Sequence, residues 1–403
     1  MTDFLWGAST SPHQIEGNNL NSDWWKRERD LPQIFEPSGD GVDSYHRFRE
    51  DMELLANAGL NAYRFGIEWA RIMPEPGQLS RAELLYYRNV IETAFELGLT
   101  PVVTLQHFTV PQWFKAEGGW TASTAIDHWS AYVEAATEIL HDVPWIVTIN
   151  EPNILALMAL MDQVPADSAP NLSAGAQAIT TVLPDEQIAL RLVEAHHAAR
   201  DILKTRIGGK VGWTIANQSF EATPGNEALF ETIKYAWEDR FLEAARNDDF
   251  IGVQAYTSQK IDADGIVAHP DSPDNTLTGW AYRPDAIGIA LRNSAAVTGG
   301  VPALITENGI ATADDARRIT YTATALEHVA SAIEEGIEVG GYLHWSALDN
   351  FEWGHWAPTF GLIAVDRTTF VRTPKPSLAW LGGIARKGPL TRSSIESGER
   401  VGA

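Results

Sequence analysis

The segment ALITENG, residues 303–309, is a short apolar run that ends abruptly in Glu307 and Asn308. A second segment, IVTINEPN at residues 146–153, ends in the same way in Asn150 and Glu151. Short apolar runs rich in β-branched residues predict buried strands. One carboxylate at the end of a strand is commonly part of a surface ion pair. Two strands that end alike instead indicate a paired arrangement of carboxylates.

Eight such runs occur along the chain, separated by segments of helix length. The predicted strands are FLWGAS (4–9), AYRFGI (62–67), PVVTLQH (101–107), WIVTIN (145–150), VGWTIAN (211–217), FIGVQAY (250–256), ALITEN (303–308) and GYLHWSAL (341–348). Amphipathic helices are predicted between them over residues 81–98, 127–140, 186–205 and 321–336. Eight strand–helix units predict an α/β protein with a single (β/α)8 TIM barrel, whose active site lies at the carboxyl ends of the strands.

The predicted domain organisation follows from this barrel. Residues 1–384 form one catalytic domain, and residues 385–403 are expected to be a flexible C-terminal tail. Long βα loops are expected to form the mouth of the active site, chiefly residues 162–186 after the fourth strand and residues 257–285 after the sixth.

The charge balance limits the classes of partner. Fifty-three acidic residues against 30 basic ones give a net charge of −23. Nucleic acids and anionic membranes are recognised through basic surfaces, so neither is an expected partner. The sequence contains no cysteine, which excludes disulfides and thiolate chemistry. We expect a cytoplasmic protein without a membrane span, because we find neither a signal peptide nor 18 consecutive apolar residues.

Two facing carboxylates suit the hydrolysis of a glycosidic bond. Glu151 and Glu307 end the fourth and seventh strands, so a closed barrel places them across its mouth. One protonated carboxyl group can donate to the leaving oxygen, while the other attacks the anomeric carbon or activates water. Arg64 ends another strand and is suited to keep one of the two ionised. Fifteen tryptophans, an unusually large number, offer faces for packing on sugar rings.

Metal and phosphate chemistry are poorly supported by the sequence. The chain has no HxH or HExxH spacing, and His196 and His197 fall in the middle of a predicted helix. It also has no P-loop and no GxGxxG motif. No metal and no cofactor are therefore expected, since side chains fill the acid, base and nucleophile roles.

Five motifs in order resemble glycoside hydrolase family 1, the β-glucosidase and β-glycosidase family, over roughly residues 3–382. The motifs are FLWGASTSPHQIEG (4–17), YRFGIEWARIMPEPG (63–77), TINEPN (148–153), ITENG (305–309) and HWSALDNFEWGHW (344–356). The resemblance implies a retaining exo-β-glycosidase, most simply a β-glucosidase, that acts on a small β-glycoside or oligosaccharide. It also implies that Glu307 is the nucleophile and Glu151 the acid/base.

The resemblance assigns further roles by position. Asn150 would bind the 2-hydroxyl of the sugar, and Arg64 and Tyr256 would orient Glu307. Substrate contacts at the other hydroxyls and around the ring would come from Gln14, His107, Trp345, Glu352, Trp353 and Phe360. For single residues the structural alternatives stay open: Trp345 and Trp353 also suit packing at the barrel mouth, and Gln14 and His107 also suit buried polar roles.

The sequence departs from the family pattern on two strands. Phe108 stands in QHFTVP where many relatives have Trp, which removes an indole N–H donor. Gln254 and Ala255 stand in GVQAY where the usual pattern is Asn-Tyr. A 6-phosphoglycosidase is disfavoured, because Glu352 would repel a phosphate.

Two alternative functions remain at this point. A transglycosylase would use the same intermediate with an alcohol as acceptor. A non-catalytic sugar-binding relative would be expected to lack one of the two acids, and both are present. A homo-oligomer is compatible with the sequence.

Overall fold

The computed structural model describes residues 4–161 and 182–399, and its centre is a closed barrel of eight parallel strands. The strands lie around the barrel in chain order, so that β1 pairs with both β2 and β8. Their bounds are β1 Leu5–Ser9, β2 Ala62–Gly66, β3 Thr100–Gln106, β4 Trp145–Asn150, β5 Lys210–Ala216, β6 Phe250–Gln254, β7 Ala303–Glu307 and β8 Val339–Trp345. All eight predicted strands are present, and the predicted (β/α)8 barrel is confirmed.

Helices surround the barrel and connect its strands. Their bounds are α1 Pro12–Ile15, α2 Asp23–Asp30, α3 Ser44–Ala58, α4 Trp69–Ile72, α5 Arg81–Glu96, α6 Gln112–Ala116, α7 Ala125–Ala136, α8 Pro152–Met161, α9 Glu186–Arg206, α10 Glu227–Lys234, α11 Arg240–Ala244, α12 Ala286–Thr298, α13 Asp315–Glu334, α14 Pro376–Ala385 and α15 Arg392–Glu399. A single π-helical turn, Tyr235–Asp239, joins α10 to α11. In the described part of the chain, none of these helices is both long enough and apolar enough to cross a bilayer.

Local capping explains where the long helices begin. The side chain of Ser80 accepts from Glu83 N at α5, and that of Asp185 accepts from Ile188 N at α9. Such caps satisfy backbone donors that the first helical turn leaves without partners. Asp314 caps α13 in the same way, so this helix begins at Asp315 rather than at the predicted residue 321.

The barrel interior has an apolar lower layer and a polar upper layer. The lower layer is a separate cluster of buried strand residues: Leu5, Ala62, Val102, Trp145, Val147, Phe250, Leu304 and Leu343. Successive side chains of a strand alternate between its two faces. Residues two or four positions beyond this layer therefore point inward as well, and they include Arg64, Thr104 and Gln254. The polar layer lies toward the carboxyl ends of the strands, as predicted.

Two irregularities in strand pairing bring Asn150 and Glu307 into the polar layer. The register shifts between Val147 and Asn150 on β4, and between Ile305 and Glu307 on β7. Residues three apart in a regular strand point to opposite faces, whereas a bulge changes the alternation. Val147 and Asn150 consequently share the inner face.

The two predicted loops have different outcomes. Most of the first, residues 162–181, lies outside the described residues. The second, residues 257–285, contains a small hairpin in which Lys260–Asp262 pairs antiparallel with Gly265–Ile266. Gly265 has a φ of +116°, a conformation that glycine adopts most readily. This segment is therefore more ordered than the predicted loop.

Part of the segment predicted as a C-terminal tail, residues 385–403, forms helix α15. Helix α15 packs against α13 and α14, and Leu390 and Ile395 are buried in the main core. The Trp6 indole also donates a hydrogen bond to Gly388 O at 2.8 Å. Burial of these apolar side chains holds a segment whose composition is otherwise polar.

Candidate active site

A cavity of about 520 Å³ opens at the carboxyl ends of the barrel strands. Both strand-end glutamates, Glu151 and Glu307, line it. So do six other residues predicted from the sequence: His107, Tyr256, Trp345, Glu352, Trp353 and Phe360. The other three predicted residues, Gln14, Arg64 and Asn150, contact members of this set from behind. All eleven predicted site residues therefore meet at one place.

Glu307 is held by two strong hydrogen-bond donors. Arg64 Nη1 donates to Glu307 Oε1 at 2.5 Å, and Tyr256 OH donates to Oε2 at 2.5 Å. Burial raises the pKa of Glu307, while the Arg64 charge and the hydrogen bonds from Tyr256 and Arg64 act in the opposite direction. Because both donors favour the charged form, this carboxylate is suited to act as a nucleophile.

The Asn150 side chain is fixed by three donors to its carbonyl oxygen. Arg64 Nη2, Thr214 Oγ1 and Gln254 Nε2 approach Asn150 Oδ1 at 2.5, 2.9 and 3.0 Å. Arginine has no acceptor atom, so the Asn150 atom at this point must be oxygen. The amide nitrogen of Asn150 is thereby turned to the other side, where it acts only as a donor.

His107 is neutral, with its proton on Nδ1. Asn150 Nδ2 lies 3.2 Å from His107 Nε2, which must accept because the amide nitrogen donates. Burial and the nearby Arg64 charge hold the pKa of His107 well below its usual range. Among the described residues Nδ1 has no hydrogen-bond partner.

Glu151 has a different environment from Glu307. Burial, and then repulsion by Glu307, raise the pKa of Glu151 well above its ordinary value, and the Arg64 charge opposes them. Glu151 also has a φ of +46°, an uncommon conformation for a residue with a side chain. The structure gives its carboxyl group no hydrogen bond from a described side chain. A carboxyl group whose pKa is raised in this way is suited to donate a proton.

Glu352 is a third carboxyl group on the cavity wall. Gln14 Nε2 and Asn350 Nδ2 donate to its Oε2 at 3.1 and 3.2 Å. Burial raises the pKa of Glu352 to about 8, and the hydrogen bond from Asn350 opposes this. Gln14 Nε2 also donates to Phe351 O at 2.8 Å, and because a carbonyl oxygen only accepts, this bond fixes which end of the Gln14 amide faces Glu352.

Stacked rings form one side of the cavity. The His107 ring stacks on Trp345 and on Trp353, with centroid distances of 5.8 and 5.9 Å. Trp353 is also stacked with His13, at 5.8 Å and an interplanar angle of 11°. Phe108 packs edge-on against Trp353, and both residues have a positive φ. Packing from several sides offsets the strain of these conformations, about 1–3 kcal/mol each.

The outer part of the cavity is mainly apolar. Phe360 packs against Tyr256 and Trp280. The remaining wall includes Trp24, Phe35, Phe108, Ile154, Met158, Leu277 and Pro358. Leu277 and Trp280 come from the loop after β6, the only predicted mouth loop that lies largely within the described residues. Such a surface suits an apolar leaving group or acceptor.

Sequence reasoning missed three contributors to the site. Thr214 and Asn350 make the hydrogen bonds described above, and Gln254 was noticed only as a departure from the family pattern. A lone polar residue in a strand carries no distinctive pattern. The one available signal was position, because Thr214 and Gln254 lie close to the carboxyl ends of their strands.

A second cluster resembles a catalytic triad but lies away from the cavity. His196 Nδ1 is 2.7 Å from Thr148 Oγ1, and His196 Nε2 is 2.9 Å from Asp248 Oδ2. All three side chains are buried, and His196 stacks on Trp213. The cluster ties α9 to β4 and has a structural role. Within residues 4–161 and 182–399 we find no group of three or more metal-ligating side chains.

Comparison with known proteins places the chain in a family. The model of glycosyl hydrolase family 1 matches residues 1–239 and 232–389. The solved structure of beta-glycosidase BGL167 is 41% identical, with a TM-score of 0.86 over 96% of this chain and 97% of that chain. The beta-glycosidase from Pyrococcus horikoshii is 33% identical, with a TM-score of 0.85 over 98% and 96%. The thermostable beta-glucosidase B of Thermobispora bispora is 30% identical over 437 residues, 96% of this chain and 90% of that protein.

Proposed function

The chain belongs to glycosyl hydrolase family 1 and is a β-glycosidase, and on that premise we propose that it removes terminal non-reducing β-D-glycosyl residues with retention of configuration. The preferred sugar is glucose, in line with the names of the beta-glucosidases that the chain resembles. The observation that carries the proposal is the different environment of the two carboxyl groups. Glu307 receives two donors that favour its charge, whereas Glu151 is buried beside another acid.

The first step forms a glycosyl-enzyme. A Glu307 carboxylate oxygen attacks the anomeric carbon, and the bond from that carbon to the leaving oxygen breaks. Glu151 transfers its proton to the leaving oxygen, so the aglycone departs as a neutral alcohol. Arg64 and Tyr256 hold Glu307 in position for the attack.

The second step releases the sugar. Glu151, now ionised, removes a proton from a water molecule that attacks the anomeric carbon. The ester bond to Glu307 breaks, and both carboxyl groups return to their starting states. Two inversions at one carbon give net retention.

The sugar is proposed to bind against the stacked rings. Trp345 packs under the ring, and Glu352, Gln14, His107 and Trp353 meet its outer hydroxyls. A neutral His107 donates only through Nδ1, and a glutamate at position 352 accepts strongly when ionised. The apolar outer wall, with Phe360 beside Tyr256, receives the leaving group.

A panel of nitrophenyl β-glycosides tests the proposal. We expect the purified protein to release nitrophenol from the glucoside, with slower turnover of the galactoside, fucoside, mannoside and xyloside and none of the 6-phosphoglucoside. The Glu307→Gly variant, shown to be folded by circular dichroism, should lose this activity by about 10⁴-fold or more. Turnover by the variant close to that of the wild-type protein would exclude Glu307 as the nucleophile.

A further inference from the structure

Gln254 contacts both key groups of the site. It lies at the end of β6, is almost completely buried and lines the cavity. Its amide nitrogen donates to Asn150 Oδ1 at 3.0 Å. It is also the residue of β6 that pairs in register with Glu307 on the neighbouring strand β7. Gln254 thus adjoins two residues of the proposed machinery.

These contacts fix the orientation of the Gln254 amide. Arg64 makes Asn150 Oδ1 an acceptor, so the Gln254 atom that approaches it is the nitrogen. The carbonyl oxygen, Gln254 Oε1, is buried and accepts no hydrogen bond from any described residue. A buried acceptor left without a partner is unfavourable. A ligand that brings a hydroxyl donor to this oxygen would supply the missing partner.

The hydroxyl at C2 of the sugar is the donor that the geometry favours. It is next to the anomeric carbon that Glu307 attacks; Gln254 pairs in register with Glu307 and is hydrogen-bonded to Asn150. The three donors on Asn150 Oδ1 leave only Asn150 Nδ2 to meet a hydroxyl. Nδ2 can donate to the hydroxyl oxygen but cannot accept its proton, so that proton needs a separate acceptor.

We propose that Gln254 is a specificity-determining residue whose carbonyl oxygen accepts a hydrogen bond from the C2 hydroxyl of the bound sugar. Its amide nitrogen meanwhile holds Asn150 in place. This inference rests on the proposed glycosidase function. A site with a buried acceptor for one hydroxyl discriminates against sugars that lack it, because the acceptor then stays without a partner.

The test compares two substrates in two variants. The substrates are 4-nitrophenyl β-D-glucoside and its 2-deoxy analogue, and the measured quantity is kcat/KM. The variants are Gln254→Met, which keeps the length but removes both polar atoms, and Gln254→Asn, which withdraws the amide by one methylene. We expect each folded variant to lose at least about tenfold more on the glucoside than on the 2-deoxy analogue. Equal losses of kcat/KM on the two substrates would overturn the proposed hydrogen bond between Gln254 and the C2 hydroxyl.

Thr214→Val is the matched control. Thr214 also donates to Asn150 Oδ1 at 2.9 Å but does not line the cavity. If Gln254 acted only by orienting Asn150, this variant would discriminate between the two substrates in the same way, and that result would overturn the inference. If the wild-type protein, properly folded, hydrolysed no glycoside of the panel, the proposed function itself would fail before Gln254 was tested.

Discussion

Arg64 Nη1 lies 2.5 Å from Glu307 Oε1, and the two side chains are 0% and 5% exposed. A buried ion pair is costly unless its remaining polar atoms are also satisfied. Here Arg64 Nε donates to Thr104 Oγ1 at 3.0 Å and Nη2 donates to Asn150 Oδ1 at 2.5 Å. The pair therefore connects four strands through one guanidinium group, and it keeps one carboxylate ionised next to another acid.

Replacement of Arg64 should shift the pH dependence of the enzyme. Without the Arg64 charge, burial raises the pKa of Glu307 further, so less of the nucleophile is ionised near neutral pH. We expect Arg64→Met to move the acidic limb of kcat/KM upward by about one pH unit or more, with a loss of at least about 100-fold at neutral pH. A pH–rate profile measures both effects.

Arg71→Met is the control for this prediction. Arg71 pairs with the buried Glu16 at 2.9 Å and lies outside the cavity lining. Its loss should lower the free energy of unfolding without moving the acidic limb. If the acidic limb of the Arg64→Met profile stays at the wild-type pH, Arg64 does not control the pKa of Glu307.

Glu151→Gln should lower kcat/KM by an amount that depends on the leaving group of the substrate. A poor leaving group needs the proton of Glu151, so we expect kcat/KM for an alkyl glucoside to fall by about 10²–10⁴-fold. Dinitrophenolate leaves without protonation, so the rate of the first step with a dinitrophenyl glucoside should fall far less. The basic limb of the profile, where the raised pKa of Glu151 is crossed, should also disappear. Equal losses of kcat/KM on both substrates would show that Glu151 is not the general acid.

Glu352→Gln should change both substrate binding and the pH dependence of stability. Above about pH 8, where Glu352 is ionised, we expect KM to rise by about tenfold or more because a charged acceptor is lost; the rise should be smaller at lower pH. The folded-state pKa of Glu352 is raised to about 8, so its favourable contribution is present at low pH and is lost as the pH rises through that value. The variant should therefore lose less stability than the wild-type protein between about pH 5 and pH 9 in urea unfolding. Glu53→Gln, an exposed site on α3, should behave like the wild-type protein.

The Thr148–His196–Asp248 cluster should matter for stability and not for activity. His196→Ala leaves a cavity beside Trp213 and a buried Asp248 without its closest partner, so we expect a loss of about 3–5 kcal/mol in the free energy of unfolding. The kcat/KM of the folded fraction should change by less than about threefold. A large loss of activity at full folding would give this cluster a part in the reaction.

The barrel was predictable from the sequence because each strand is a compact apolar run with clear borders. Glu151 and Glu307 were predictable because a carboxylate at the end of such a run is unusual, and two of them face each other in a closed barrel. The tertiary contacts of Ile395 were not predictable, since one apolar residue in the polar segment RSSIESGE has no periodic pattern.

The strand pairing that positions the site residues could not be predicted from the sequence. The register shifts that turn Asn150 and Glu307 inward depend on strand pairing, which no local pattern encodes. The sequence shows that Gln254 differs from the family pattern. Only the structure shows that its amide nitrogen donates to Asn150 and that its carbonyl oxygen is left without a partner among the described residues.

We expect Glu307 and Glu151 to carry out a double displacement. Proton NMR of the sugar first released from a β-glucoside, recorded before mutarotation, tests it most directly. If the reaction is a double displacement, the β anomer appears first and the α anomer grows in later through mutarotation. Initial release of the α anomer would mean a single displacement by water and would contradict a covalent intermediate on Glu307.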